Sequence, residues 1–219
     1  MTLEEAIAKI KPLDHNAMEI AQKRWDSIAK PLHSLGKLET LLIQIAGITG
    51  NAEVDLSRRG LIAMCADNGV VEEGVTQTGQ EVTAIVAENF LKYDTAVGVM
   101  CKQNHAEIFP VDMGMVTDTK VRTDHKIAYG TQNMTKGPAM TREQAVKGLE
   151  AGIDMVRELN DKGYRILATG EMGIGNTTTS SAMTAVFLGM EPERVTGRGA
   201  GLSGAGLKRK VRAIWRAIS

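Results

Sequence analysis

The segment from Thr169 to Thr179, Thr-Gly-Glu-Met-Gly-Ile-Gly-Asn-Thr-Thr-Thr, restricts the fold of this chain more than any other. The apolar run 164–168 precedes it, and the small-residue run 180–187 follows it. This order predicts a strand, a glycine loop and a helix. Glycine lets the backbone turn sharply and approach a ligand, and the free N–H groups at a helix start favour an anion. An ordinary strand-to-helix turn, with Asn and Thr as helix caps, is an equally good interpretation of this segment alone.

The same loop contains one carboxylate, Glu171. A carboxylate beside a bare phosphate would be unfavourable because the two negative charges repel. We therefore expect Glu171 to face a different part of a ligand.

Short apolar runs alternate with helical patterns along the chain. Helices are predicted for 14–29, 37–48, 81–91 and 95–103, and after a capping-box pattern at Thr141 and Gln144. Strands are predicted for 61–66, 106–111 and 164–168. This alternation is typical of an α/β fold with a parallel sheet, in which ligands bind at the carboxyl ends of the strands. The segment 112–138 shows no periodicity, so we expect a long loop there that is a candidate for function.

Two helices precede the first predicted strand. This order predicts an N-terminal helical segment, 1–58, and an α/β domain, 59–219.

Composition restricts the class of protein and its partners. The 26 basic and 26 acidic residues cancel, so we expect no nucleic-acid partner. Cys65 and Cys101 lie in apolar segments, as buried thiols of a reducing compartment would, and the four scattered histidines predict no metal site. No basic-then-apolar leader and no long apolar run is present, so we expect a cytoplasmic protein without a membrane partner.

Three further loops lie where a parallel sheet would place a site. Asp67 follows the first strand, where it could bind a ligand, although Asp-Asn-Gly is also ordinary turn chemistry and the turn is favoured. Thr78 could cap the helix 81–91 or contact a ligand, and capping is favoured. A second glycine loop, 196–203, includes Gly199 and precedes a helix with Lys210 about two turns in. Two glycine loops and a lysine together favour a phosphorylated ligand.

Other nucleotide and hydrolase motifs do not fit this chain. The segment 199–204 matches a dinucleotide fingerprint, but the run 193–196 before it is too short and charged for a central strand. The acidic ribose partner of that motif would fall beyond Ser219. The chain has no Walker-type Gly-Lys-Ser or Gly-Lys-Thr and no Gly-x-Ser-x-Gly elbow.

Six motifs, in matching order from about residue 12 to the end, resemble nicotinate-nucleotide:dimethylbenzimidazole phosphoribosyltransferases. These motifs are Lys30-Pro-Leu-His-Ser-Leu-Gly-Lys-Leu-Glu39, Ala66-Asp-Asn-Gly-Val-Val-Glu-Glu-Gly74, Gln80-Glu-Val-Thr83, Lys136-Gly-Pro-Ala-Met140, Gly170-Glu-Met-Gly-Ile-Gly-Asn-Thr-Thr178 and Gly197-Arg-Gly-Ala-Gly-Leu202. The resemblance implies a Rossmann-like parallel sheet flanked by helices, a small helical domain that includes 1–58, and a homodimer.

The resemblance also implies an activity, in which the ribosyl phosphate of nicotinate mononucleotide is transferred to a benzimidazole base without a metal or redox cofactor. The two glycine loops and Lys210 correspond to the ribose-phosphate pocket, with Gly173 and Gly199 close to the phosphate, and Thr78 corresponds to the benzimidazole pocket. Glu171 is expected to act as an electrostatic or base carboxylate. The substrate-binding residues expected on this basis are Thr78, Gly173, Gly175, Asn176, Thr177, Gly199, Lys210 and Asp67.

Several features depart from the family. His33 stands where the first motif usually has glycine, Asn68 replaces a frequent histidine, and 204–205 replace acidic residues. Family members are roughly half as long again, so we expect an α/β domain truncated at its C-terminal end, without the main base and with little activity. The apolar stripe of the helix 207–218 would then be uncovered and drive self-association. An inactive nucleotide-binding or partner-binding remnant is the alternative function.

Overall fold

A computed structural model describes all 219 residues, Met1–Ser219, and they form two compact units, Met1–Ser57 and Arg58–Ser219. The first unit contains three helices: α1 (Leu3–Ala8), α2 (His15–Ser27) and α3 (Lys37–Thr49). The Asp14 side chain accepts a hydrogen bond from the N–H of Ala17 and so caps α2. The predicted helices 14–29 and 37–48 are confirmed to within two residues at each end.

The second unit contains a three-stranded sheet. The strands are β1 (Arg59–Ala66), β2 (Ala106–Gly114) and β3 (Ile166–Met172), in the order β2-β1-β3, and both pairs are parallel. Helices α4 (Glu81–Lys92) and α5 (Ala96–Gln103) separate β1 from β2, and α6 (Arg142–Asp161) precedes β3. The predicted α/β fold with a parallel sheet is confirmed.

Helices pack on both faces of the sheet because alternate residues of a strand point to opposite faces. Ala63 and Cys65 of β1 belong to a buried cluster with residues of α4 and α5. Ile62 belongs to a second cluster, with Met155 and Leu159 of α6. The core of this unit therefore comprises two layers separated by the central strand β1.

The last strand differs from its prediction. The predicted run 164–168 becomes β3 only from Ile166, because Tyr164 closes the end of α6 through a hydrogen bond from its N–H to the Leu159 carbonyl. The strand then continues to Met172, since its residues pair with β1 as far as Cys65. Glu171 consequently lies on the strand and not in the glycine loop.

The segment after β2 is a long loop, as predicted, although β2 itself extends to Gly114. Backbone hydrogen bonds attach the loop to the strand, from Asp112 N to Arg122 O at 2.8 Å and from Ile127 N to Met113 O at 3.0 Å. The buried Asp112 carboxylate lies 3.1 Å from Lys126 Nζ. The loop is thus fixed against the carboxyl half of β2.

Three helices follow β3: α7 (Asn176–Leu188), α8 (Pro192–Val195) and α9 (Gly204–Ile218). Of the charged run 193–196, residues 193–195 are helical and none belongs to a strand, which agrees with the rejection of a dinucleotide fingerprint. Among the helices, none combines the length and the apolar character that a membrane-spanning segment needs.

Candidate functional site

A cavity of about 270 Å³ lies beyond the carboxyl end of β3. Its walls come from three segments, 75–78, 172–177 and 198–202. Six of the residues predicted to bind substrate line it: Thr78, Gly173, Gly175, Asn176, Thr177 and Gly199. The structure therefore brings both predicted glycine loops to one cavity.

The first glycine loop connects β3 to α7 by a backbone path that requires glycine. A Cβ atom on Gly173 would lie 2.2 Å from the carbonyl oxygen of Ala66, so no side chain fits there. Gly175 has φ +92° and is the N-cap of α7, with no side-chain hydrogen bond at this helix start. The interpretation of Asn176 and the threonines as caps is therefore wrong, and the α7 N-terminus faces the cavity without a side-chain cap.

The second glycine loop lies against the first. Gly199 has φ +57°, and a Cβ atom there would lie 2.9 Å from Thr177 Oγ1. Gln77 Nε2 donates a hydrogen bond to the Gly201 carbonyl, which joins this loop to the segment 75–78.

Lys210 connects the two glycine loops. Its Nζ atom donates to Thr177 Oγ1 at 2.6 Å and to the carbonyl oxygen of Gly197 at 3.1 Å. The residue is only 1% exposed, and burial lowers the pKa of its ammonium group. Lys210 makes no ion pair, and it is the one basic residue among the buried polar side chains.

A buried ammonium group without an acidic partner is unfavourable, because its charge has lost water and gained only neutral oxygens. An ammonium group has three N–H donors, and two are used here. An anion bound between the glycine loops would accept the third hydrogen bond and compensate the charge. The uncapped N-terminus of α7 favours the same occupant.

Glu171 lies at the rim of this arrangement, on the penultimate residue of β3. Its Oε2 atom accepts a hydrogen bond from Asn176 Nδ2. The surrounding protein raises the pKa of the Glu171 carboxyl by desolvation, and the Asn176 hydrogen bond partly opposes this. The residue as a whole remains exposed, so a bound molecule can reach it.

Thr78 does not cap α4, contrary to the favoured interpretation. The N-cap position belongs to Gln80, which makes no side-chain cap hydrogen bond. The Thr78 carbonyl accepts a hydrogen bond from Thr76 Oγ1 at 2.8 Å, and Thr78 lines the cavity. Its predicted contact with substrate stays a prediction.

Asp67 lies beneath the site and not at its surface. The residue is fully buried, and its Oδ2 atom accepts a hydrogen bond from the N–H of Val116 at 2.9 Å. Burial raises the pKa of the Asp67 carboxyl, with hydrogen bonding from Thr83 and Val116 in opposition. Asp67 does not line the cavity in this structure, and its predicted contact with substrate stays a prediction.

Sequence reasoning gave no individual role to three residues near the cavity. Arg198 lines it, and its Nη1 atom donates to the carbonyl oxygen of Leu202 at 3.0 Å. Asn68 and Thr83 contact Ile174 in the first glycine loop. Two sequence features could have indicated these residues. Arg198 is a basic residue between two glycines, and Asn68 and Thr83 are polar residues of the motifs 66–74 and 80–83. For metal binding, no group of three or more His, Cys, Asp or Glu side chains has a suitable arrangement.

The fold and this cavity define an α/β protein with a candidate anion-binding site, and comparisons with known proteins specify the family. A sequence model of a phosphoribosyltransferase family matches residues 10–219. The chain is 44% identical over 218 residues to a Clostridium tetani protein named nicotinate-nucleotide–dimethylbenzimidazole phosphoribosyltransferase. It is 48% identical over 220 residues to a Ruminiclostridium cellulolyticum protein of the same name.

Solved structures agree with the sequence comparisons. The crystal structure of CobT from Thermus thermophilus superimposes with a TM-score of 0.84 and 38% identity, over 93% of this chain and 62% of that chain. The alignments with the two curated relatives include 99% and 100% of this chain but 60% and 62% of those proteins. The chain belongs to this phosphoribosyltransferase family, as the six sequence motifs predicted, and it spans about three fifths of the length of these relatives.

Proposed function

We propose that the protein transfers the phosphoribosyl group of nicotinate mononucleotide to 5,6-dimethylbenzimidazole, which gives α-ribazole 5′-phosphate and nicotinate in cobalamin nucleotide-loop assembly. The observation that carries this proposal is the buried, unpaired Lys210 between two glycine loops. The names of the relatives supply the two substrates. These names favour the transferase over the alternative of a non-catalytic remnant.

The phosphate of the nucleotide would bind where Lys210, the N-terminus of α7 and the Gly199 backbone meet. Gly173, Gly175 and Thr177 form the adjacent wall, and no side chain at the glycine positions obstructs the ligand. The segment that contains Thr78 forms a further wall, where we propose that the benzimidazole binds. A phosphate held at one end of the cavity would orient the sugar toward β3 and Glu171.

In the proposed reaction a benzimidazole nitrogen attacks the anomeric carbon of the ribose. The bond from this carbon to the pyridinium nitrogen breaks, nicotinate leaves with the electron pair, and the configuration inverts. The transition state is cation-like at the sugar, so the nearby Glu171 carboxylate would stabilise it electrostatically. The benzimidazole ring must also lose its N–H proton, which requires a base.

A chimaera tests this activity in a protein of the relatives' length. Residues 1–219 would be joined to the remaining part of the Clostridium tetani relative and incubated with nicotinate mononucleotide and dimethylbenzimidazole. We expect α-ribazole 5′-phosphate to form, and Glu171→Gln to lower kcat by about 10²–10³-fold, as is typical when one group that stabilises transition-state charge is lost. Glu191→Gln, at an exposed carboxylate outside the cavity lining, is the control. No product, or an equal rate in both variants, would contradict the proposed roles of the site and of Glu171.

The proposal includes a homodimer and a cytoplasmic location. The implied dimer rests on the family resemblance, and the location is supported by the two buried free cysteines, which are typical of a reducing compartment. Sedimentation velocity of the purified chain tests the homodimer, and fractionation of the source cells tests the cytoplasmic location.

A further inference from the structure

Ile174, the central residue of the first glycine loop, is held through both of its backbone polar groups. The N–H of Ile174 donates to Thr83 Oγ1 at 3.0 Å, and the carbonyl oxygen of Ile174 accepts from Asn68 Nδ2 at 3.1 Å. Thr83 belongs to α4, and Asn68 follows β1. Two side chains from separate elements therefore fix one residue of a loop that neither element belongs to.

Both side chains are themselves fixed. Thr83 is fully buried in α4, and its hydroxyl lowers the pKa of the buried Asp67 carboxyl, which burial raises. Asn68 Oδ1 accepts from Thr179 Oγ1 of α7 at 3.3 Å, and the Asn68 carbonyl accepts from Gln80 Nε2 at 3.2 Å. Asn68 therefore cannot follow the loop without the loss of further hydrogen bonds, and Thr83 is held in place by its burial.

The loop needs such a restraint because glycine flanks Ile174 on both sides. Glycine has the most conformational freedom of any residue. A rotation of the backbone at Ile174 would therefore turn the first N–H groups of α7 away from the cavity. An anion site is effective only when its donors are already oriented. The same rotation would displace Thr177, which accepts the hydrogen bond from Lys210.

We propose that Thr83 and Asn68 are positioning residues that hold the glycine loop in its phosphate-binding conformation and thereby set the affinity for the nucleotide. This inference rests on the proposed function for the identity of the ligand. The hydrogen bonds themselves do not depend on that function.

The chain offers a matched control for Thr83. The Thr95 hydroxyl also accepts one backbone N–H, from Gly98 at 3.0 Å, but it caps α5 and lies outside the cavity lining. Thr83→Val and Thr95→Val each remove a hydroxyl and preserve the side-chain shape. Thr83→Ser restores the hydroxyl, and Asn68→Asp keeps the acceptor for Thr179 but removes the donor to Ile174.

Two measurements on the 219-residue chain test the inference: amide exchange at Ile174 by NMR, and nicotinate mononucleotide affinity by calorimetry. We expect Thr83→Val to accelerate exchange at Ile174, and Thr83→Val and Asn68→Asp to weaken binding by roughly tenfold. Thr83→Ser should stay close to wild type in both measurements. Thr95→Val should lower the melting temperature and leave both readouts unchanged.

Unchanged exchange at Ile174 in Thr83→Val, or an equal loss of affinity in Thr95→Val, would overturn the inference. If the wild-type chain binds no nucleotide, affinity is measured in the chimaera, whose failure to bind would contradict the proposed function, and Ile174 exchange in the 219-residue chain alone then decides the restraint. Faster exchange in Thr83→Val with recovery in Thr83→Ser would support it in that case.

Discussion

At the scale of single residues, the environment of Lys210 was only partly predictable. The sequence indicated a lysine about two turns after a glycine loop, which distinguished it from the exposed basic residues around it. Its burial depends on contacts with Thr177 and Gly197, which are 33 and 13 residues away in the chain. Such contacts follow from the packing of α9 against α7 and leave no local pattern in the sequence.

Asp67 shows the opposite case, in which a local pattern gave no sign that the residue is fully buried. A carboxylate directly after a strand suits a ligand site, but the same position on a central strand is covered by neighbouring loops. Here the N–H of Val116, from the loop after β2, donates a hydrogen bond to the Oδ2 atom of the Asp67 carboxylate. Its alternative interpretation as turn chemistry described the residue better.

His33 carries a backbone strain that a single substitution should relieve. Its φ is +58°, in the left-handed region, and its side chain is 73% exposed. This conformation costs a non-glycine residue about 1–2 kcal/mol, and the extra freedom of glycine in the unfolded chain offsets part of that. We expect His33→Gly to raise the free energy of unfolding by about 0.5–1 kcal/mol in urea titrations.

Ser34→Gly is the matched control, because Ser34 does not have positive φ. It should be neutral or destabilising. Equal effects of the two substitutions would show that the left-handed conformation of His33 carries no cost.

At the scale of elements, prediction succeeded where the determinants are local. The capping box of Thr141 and Gln144 starts α6 as expected, with both reciprocal hydrogen bonds present. The extension of β3 to Met172 depends instead on pairing with β1, about a hundred residues earlier. That pairing determines whether Glu171 lies on a strand or in a loop.

A polar cluster centred on Glu73 joins the loop after β2 to α9. The Glu73 carboxylate accepts hydrogen bonds from Asn133 Nδ2 and Thr135 Oγ1, both at 2.8 Å, and pairs with Arg216. Asn133, Thr135 and Arg216, in that order, lower the pKa of Glu73 to about 2. Because the unfolded chain has an ordinary carboxyl pKa, the ionised cluster stabilises the fold above about pH 5, and this contribution is lost as the pH falls toward 2.

We expect Glu73→Gln to lower the free energy of unfolding at pH 7 by about 1 kcal/mol, a value reduced for solvent screening. The difference from wild type should shrink as the pH falls from 5 to 2, as measured by urea unfolding at several pH values. Glu191→Gln, at an exposed carboxylate outside the cluster, should show no such trend. A pH-independent difference for Glu73→Gln would contradict the role of its charge.

At the scale of the whole molecule, sequence patterns could not predict the strand order or the distribution of exposed apolar surface. The stripe on the last helix was expected to be uncovered, but Ile214 is fully buried and only Trp215, at 41%, is exposed. Apolar side chains are exposed in several elements, and α7 has a group of four such residues, in which Phe187 is 77% and Leu188 is 63% exposed. The expectation of an uncovered α9 stripe is therefore wrong, because α9 packs against α7 and α8.

Self-association should consequently depend on α7. We expect Phe187→Lys to shift the chain toward monomer in sedimentation velocity, because it places a charge in the exposed apolar surface. Trp215→Lys, an aromatic-to-lysine change on α9, should have little effect. The opposite ranking would show that α9 is the contact surface.

The central claim is that Lys210 is a buried cation that binds the phosphate of the nucleotide. Calorimetric titration with nicotinate mononucleotide tests this claim most directly. Lys210→Met removes the charge and keeps the approximate length of the side chain. We expect the melting temperature not to fall, because Thr177 and Gly197 are exposed and can form hydrogen bonds with water instead. Nucleotide affinity should fall ten- to hundredfold, since a hydrogen bond to a charged group contributes about 1.5–3 kcal/mol. Wild-type affinity should also fall as the pH rises toward the lowered pKa of Lys210, where the ammonium group loses its proton. Lys208→Met, at an exposed position of the same helix, should bind like wild type, and equal affinities for all three proteins would contradict the claim.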